Sequence, residues 1–120
     1  IGRPEKTQHW VREILSRCYS TDRKGFDGNE DCGQMSAWYI LSSLGLYMLN
    51  PADGWYELGA PCVRKAELKL QSGKTLRIIT KNLSDSTTKV HQVTFNGRVE
   101  DDWRISHAEL MQGGNLVFEY

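Results

Sequence analysis

The sequence predicts a chain that is α-helical first and β-stranded after, and three observations carry that expectation. Apolar residues recur at helical spacing early in the chain and alternate with polar ones later. Between the two patterns lies a turn-rich break, Asn50-Pro51-Ala52-Asp53-Gly54. The division gives residues 1–50 as a helical part and 51–120 as a β-strand region of antiparallel hairpins.

The first helix is marked by Trp10, Val11, Ile14, Leu15 and Cys18 on one face and Arg12, Glu13, Ser16 and Arg17 on the other. Pro4 suits a helix start, Thr7 suits a cap or first turn, and the helix should close near Tyr19. The second helix should begin between Asp31 and Gln34 and end at Leu44, with Gly45 as the residue beyond its end. Met35, Trp38, Tyr39, Ile40, Leu41 and Leu44 make it apolar nearly all round, so it should be buried on most sides. Two helices cannot bury that much surface between themselves.

In the β region, Ala66, Leu68 and Leu70 alternate with Lys65, Glu67 and Lys69, the pattern of a half-buried strand. Ser72-Gly73 turns the chain and Leu76 to Thr80 returns. After a polar stretch, Val90 to Phe95, the turn Asn96-Gly97 and a short run to Trp103 follow. Ser106 with Glu109 three residues on predicts a capped helical turn. Gly113-Gly114 ends it, and Leu116 to Glu119 forms the last of four to six short strands.

Composition excludes several function classes. Hydrophobic residues at 39% and charged residues at 25% exclude a disordered chain. Fifteen basic residues balance fifteen acidic ones, leaving no basic excess with which to neutralise nucleic-acid phosphates. No apolar run reaches the roughly 18 residues of a membrane span. Three cysteines, Cys18, Cys32 and Cys62, cannot all pair, which excludes a disulfide scaffold. The opening Ile1-Gly2-Arg3-Pro4 has no signal-peptide pattern, so a segment of a longer protein is expected.

The densest chemical signal is Gly28-Asn29-Glu30-Asp31-Cys32-Gly33-Gln34, running straight into the apolar helix. Its plain reading is a helix start, with Asn29 or Asp31 as cap and Glu30 favoured by the positive end of the helix dipole. The adjoining helix is expected to be buried, which would set these carboxylates at a pocket wall, where they need a partner or a task. Asp27, Asn29 and Asp31 alternate as in a calcium-binding EF-hand loop, but Cys32 and Trp38 occupy its required Gly and Glu positions, which rejects that motif. Trp10, Trp38, Trp55 and Trp103 read as packing residues; His9, His91 and His107 are too dispersed to suggest a metal site.

The run from Gly28 through Tyr39 closely resembles a signature of glycoside hydrolase family 92, the calcium-dependent exo-α-mannosidases. The likeness extends to Gly2-Arg3-Pro4, Lys6-Thr7-Gln8 and Trp10-Val11-Arg12 before it. After it come Leu44-Gly45-Leu46-Tyr47, Tyr56-Glu57-Leu58-Gly59, Pro61, Ile105-Ser106-His107 and Gly113-Gly114 through Glu119. The resemblance implies a fold in which residues 1–50 are the last helices of an (α/α)6 catalytic barrel and residues 51–120 a C-terminal antiparallel β segment. It implies inverting hydrolysis of terminal α-mannosides of glycans, with α-1,2 linkage expected, a role in N-glycan degradation, and a periplasmic, secreted or surface-attached location.

By the same resemblance Asp31 is the general base, near calcium, and the general acid is a Glu upstream of this chain. The position two before the base, often a second Asp in the family, is Asn29 here, which leaves Asp31 as the sole base candidate. Asn29, Glu30 and Gln34 are expected to contact substrate or support the site. The implied partners are a mannose-containing glycan and the rest of the same polypeptide, without which these residues are expected to be inactive. A second class stands beside it: a non-catalytic β-rich module for carbohydrate binding or domain packing. The acidic loop against an apolar helix favours the enzyme.

Overall fold

In the computed structural model, which describes residues 2–120, helix α1 spans Pro4–Arg17. Arg3 is its N-cap, Pro4 sits at the first position, where no helical N–H bond is lost, and the helix ends short of Tyr19. Helix α2, Gln34–Ser43, lies within the expected bounds, and Gly45 follows with φ 77°. A Cβ on Gly45 would stand 2.7 Å from Pro61 Cδ, so packing and dihedral both require glycine there.

Eight strands follow: β1 (Leu46–Tyr47), β2 (Trp55–Leu58), β3 (Lys65–Lys69), β4 (Thr75–Lys81), β5 (Gln92–Phe95), β6 (Arg98–Val99), β7 (Arg104–Ser106) and β8 (Gly114–Glu119). Helix α3, His107–Leu110, precedes β8 and carries the expected reciprocal cap between Ser106 and Glu109. Asn96-Gly97 makes the β5–β6 hairpin with φ of 50° and 86°, the left-handed pair that a two-residue turn favours.

The strands form two sheets, β1-β2-β7 and β3-β4-β8-β5-β6. The small sheet is antiparallel, and β1, before the turn-rich break, pairs across it with β2. The expectation of a wholly antiparallel β segment is corrected by the larger sheet, where β4 and β8 run parallel from Leu76 opposite Gly114 to Lys81 opposite Glu119. A parallel pair needs a long crossover, and residues 82–113 supply it. Alternation reports which face of a strand is buried, not which way its neighbour runs, so the crossover left no mark in the pattern.

Leu76 and Ile78 of β4, Val93 and Phe95 of β5, and Leu116 and Phe118 of β8 form one buried face. Leu46, Leu58, Ile105 and Leu110, from the small sheet and α3, close over it. The helices meet this core with polar groups. Gln8 is 1% exposed, and its Oε1 accepts from Val90 N at 3.0 Å. Arg12 Nη1 donates to Pro61 O at 3.0 Å, and Ser42 and Ser43 are the buried residues of α2. Trp10, Ile14, Tyr39 and Ile40 are instead exposed, Ile40 to 57%. The expected burial of α2 on most sides, and of Trp10 as core, is therefore not met within this chain. The β half closes its own core, so the helices add only a few apolar residues to these hydrogen bonds, with Leu15 of α1 buried and Leu44 packed against the core, and much of their apolar surface stays uncovered.

Candidate active site

The acidic loop is held between two anchored segments. Before it, Tyr19 and Phe26 form an isolated antiparallel bridge, Asp27 N donates to Cys18 O at 3.0 Å, and Lys24 Nζ pairs with Asp27 Oδ1 at 2.5 Å. After it, α2 begins. The aromatic ring of Tyr19 stacks with Trp38 at 5.8 Å and lies 4.8 Å from that of Tyr39, so the hairpin 19–26 packs on one side of α2. Tyr19 Oη donates to Met35 O at 3.1 Å. Burial, and then the charge of Glu30, pushes the Tyr19 hydroxyl above its ordinary pKa, which keeps it a donor.

Between these anchors the backbone turns left-handed: Asp31, Cys32 and Gly33 have φ of 51°, 61° and 97°. For the two non-glycine residues this costs on the order of 1–2 kcal/mol each, less for aspartate, whose short side chain tolerates the conformation. Gly33 is the N-cap of α2 and has no side chain to cap with. The reading of Asn29 or Asp31 as the cap is corrected accordingly. Asp31 meets the start of the helix only through its carbonyl, which accepts from Gln34 N at 3.4 Å.

Glu30 takes that place. Its Oε1 accepts from Ser36 N at 3.0 Å and its Oε2 from Ser36 Oγ at 2.9 Å. Glu30 O accepts from Met35 N at 3.3 Å. Ser36 N is one of the first-turn donors that no intrahelical carbonyl reaches, and a carboxylate there also meets the positive end of the helix dipole. Ser36 and Tyr19 were not singled out in the sequence. Ser36 follows an acidic residue by a spacing outside the usual capping box, and the Tyr19 contact is tertiary.

Asp31, Asn29 and Gln34 are exposed. Among the described residues no ion pair engages Asp31, whereas Asp27 and Glu13 nearby in sequence are both paired. The structure thus sets Asn29 and Asp31 on the loop and Gln34 at the first position of α2, and leaves Asp31 available as an acceptor. Cys32, beside it, is a free exposed thiol, as is Cys62, and Cys18 is also unbridged. Among the described residues no three His, Cys, Asp or Glu side chains converge as a metal site. The donors of this chain do not by themselves fit the calcium that the resemblance implies.

A cavity of about 470 Å³ lies elsewhere, between Trp55, Arg98, Arg104 and Glu109, and no residue of the acidic loop lines it. Its cations are already neutralised. Arg98 Nη2 lies 2.9 Å from Glu100 and 2.6 Å from Glu109, and Arg104 lies between Glu57 and Asp53. His107 Nδ1 is 3.1 Å from Tyr56 Oη, a local pair rather than part of a cluster.

Comparison with known proteins places this geometry. A family model, the glycosyl hydrolase family 92 catalytic domain, matches residues 1–120. A solved family GH92 alpha-mannosidase of Bacteroides thetaiotaomicron superposes with a TM-score of 0.91 at 32% identity, over 97% of this chain and 16% of that one. A family GH92 inverting mannosidase of the same organism gives 0.90 at 34% identity, over 99% of this chain and 16% of its own. An uncharacterized secreted glycosidase of Arthroderma benhamiae is 25% identical over 118 residues, 96% of this chain and 15% of that protein. The fold of nearly the whole chain is thus shared with proteins several times longer, of which it spans about 16%, and the chain belongs to glycosyl hydrolase family 92.

Proposed function

We propose that the polypeptide carrying this chain is an inverting exo-α-mannosidase acting on terminal α-mannosides of glycans, α-1,2-linked ones first, and that this segment supplies the general base. The observation that carries the proposal is Asp31. It is an exposed, unpaired carboxylate on a strained left-handed turn, flanked by segments that are each tied down. Strain of this kind persists where the surroundings over-determine it, and it gathers at active sites. Support comes from the similar solved enzymes, one of which is described as an inverting mannosidase.

Inversion requires an acid on one side of the glycosidic bond and a base on the other, roughly 6.5–9.5 Å apart so that a water fits between. Asp31 would take the proton from that water as its oxygen attacks the anomeric carbon, while an acid outside this chain protonates the leaving oxygen. Asn29 on the same loop and Gln34 at the start of α2 can hydrogen-bond water or sugar but cannot take the proton. Calcium would supply ring distortion and water positioning in the complete enzyme, with its ligands drawn mostly from outside this chain. Residues 1–50 would then be the last helices of the barrel. A periplasmic, secreted or surface location fits a glycan substrate, and no described helix is long and apolar enough to cross a membrane.

Proton NMR of the complete protein acting on α-1,2-mannobiose tests the reading. The first-formed sugar should be β-mannose. Initial release of α-mannose, or no hydrolysis of any α-mannoside, would refute it.

A further inference from the structure

We infer that Glu30 is a positioning residue for the general base, an inference that rests on the reading of Asp31 just given. Residues 31–35 form a closed excursion between Glu30 and the first turn of α2, and Glu30 fastens it twice. Its carbonyl holds Met35 N, and its two carboxylate oxygens hold Ser36 N and Ser36 Oγ. The residue that begins this excursion is Asp31, so the Cα–Cβ direction of Asp31 follows from where Glu30 is pinned. Tyr19 Oη grips Met35 O from the opposite segment, which leaves the left-handed stretch Asp31-Cys32-Gly33 between fixed points.

Glu30 is not itself arranged as a base. Both its oxygens already accept hydrogen bonds from Ser36 of α2, so they are turned to the helix rather than left open to a water. Nor is it a core residue: it is only half-buried and stands apart from the packed sheet residues. Its contacts shape the loop and little else. Misplacing a reacting group by about an ångström can cost on the order of 10²-fold in rate.

The test compares Glu30→Ala, Glu30→Gln, Ser36→Ala and Asp31→Asn in the complete protein by steady-state kinetics on an α-mannoside. Glu30→Ala should lower kcat about 10²-fold. KM should stay within about threefold, since positioning the base does not bind substrate. Glu30→Gln, which keeps one carbonyl acceptor for Ser36 N, should recover most of the loss. If Glu30→Ala does not fold, Ser36→Ala carries the test, with a several-fold fall in kcat at unchanged KM expected and wild-type kcat overturning the inference. Glu30→Gln as inactive as Asp31→Asn would make Glu30 part of the chemistry and overturn the positioning role. Wild-type kcat in Glu30→Ala alongside an inactive Asp31→Asn would overturn the inference alone. An active Asp31→Asn would overturn the base assignment and this inference with it.

Discussion

Glu30 and Asp31 are adjacent carboxylates in different circumstances: the first spends both oxygens on Ser36, and the second is paired with nothing described. A comparable economy of polar groups ties the two halves together at Pro61. Its carbonyl accepts from Arg12 Nη1 at 3.0 Å and from Tyr120 Oη at 2.6 Å, joining α1 to the residue that follows β8. Burial pushes the Tyr120 hydroxyl up to about 12. A raised value means that the neutral form is favoured on folding, so this contribution is complete below the ordinary value of 10.0 and is lost as pH rises through about 12. Tyr120→Phe should cost only about 1 kcal/mol near neutral pH, because Arg12 keeps the Pro61 carbonyl satisfied. Denaturant melts should also show a smaller loss of stability between pH 10 and 12 in the variant than in the parent.

At the scale of elements, both helix positions, the Asn96-Gly97 hairpin and the capped turn of α3 were legible because local chemistry writes them. Caps, glycines and periodicity act within a few residues of one another. The short strands β1 and β2 were not legible, since stretches this brief show no alternation and form only through each other and β7. The direction of β8 was hidden for the same reason, its partner β4 lying on the far side of a long crossover. In the site, the composition of the loop pointed to the run Gly28 to Gln34 and the family resemblance to Asp31 within it, but the left-handed turn and the Glu30 clasp are conformational facts that residue types alone do not encode. Two measurements check this level. Ser106→Ala removes the α3 cap and should cost about 1 kcal/mol. Hydrogen bonds from Ser106, then Arg98, hold Glu109 below the usual carboxylate range. The stabilisation tied to that carboxylate should be complete above its ordinary value of 4.5 and fade as pH falls below it, and less so in Ser106→Ala. Gly45→Ala should cost about 2–4 kcal/mol, from the left-handed dihedral and the 2.7 Å approach to Pro61, and thermal melts would read the loss directly.

At the scale of the whole molecule, a self-contained β core carries two helices whose apolar stripes it does not cover. Ile40, exposed to 57% here, sets up a comparison between the isolated chain and the complete polypeptide. Ile40→Ala should change the stability of the 120 residues by no more than about 0.5 kcal/mol. If the rest of the complete polypeptide covers α2, the same change there should cost about 2–5 kcal/mol. Equal, small effects in both would mean that α2 faces solvent throughout. The isolated chain lacks the general acid that the proposal places elsewhere, so it should release no mannose from α-mannosides. The most direct test of the account is kcat for Asp31→Asn in the complete protein, since this change removes the proton acceptor and keeps the shape. The account predicts a fall of about 10²–10⁴-fold with the melting temperature unchanged, and retention of more than about a tenth of wild-type kcat would contradict it.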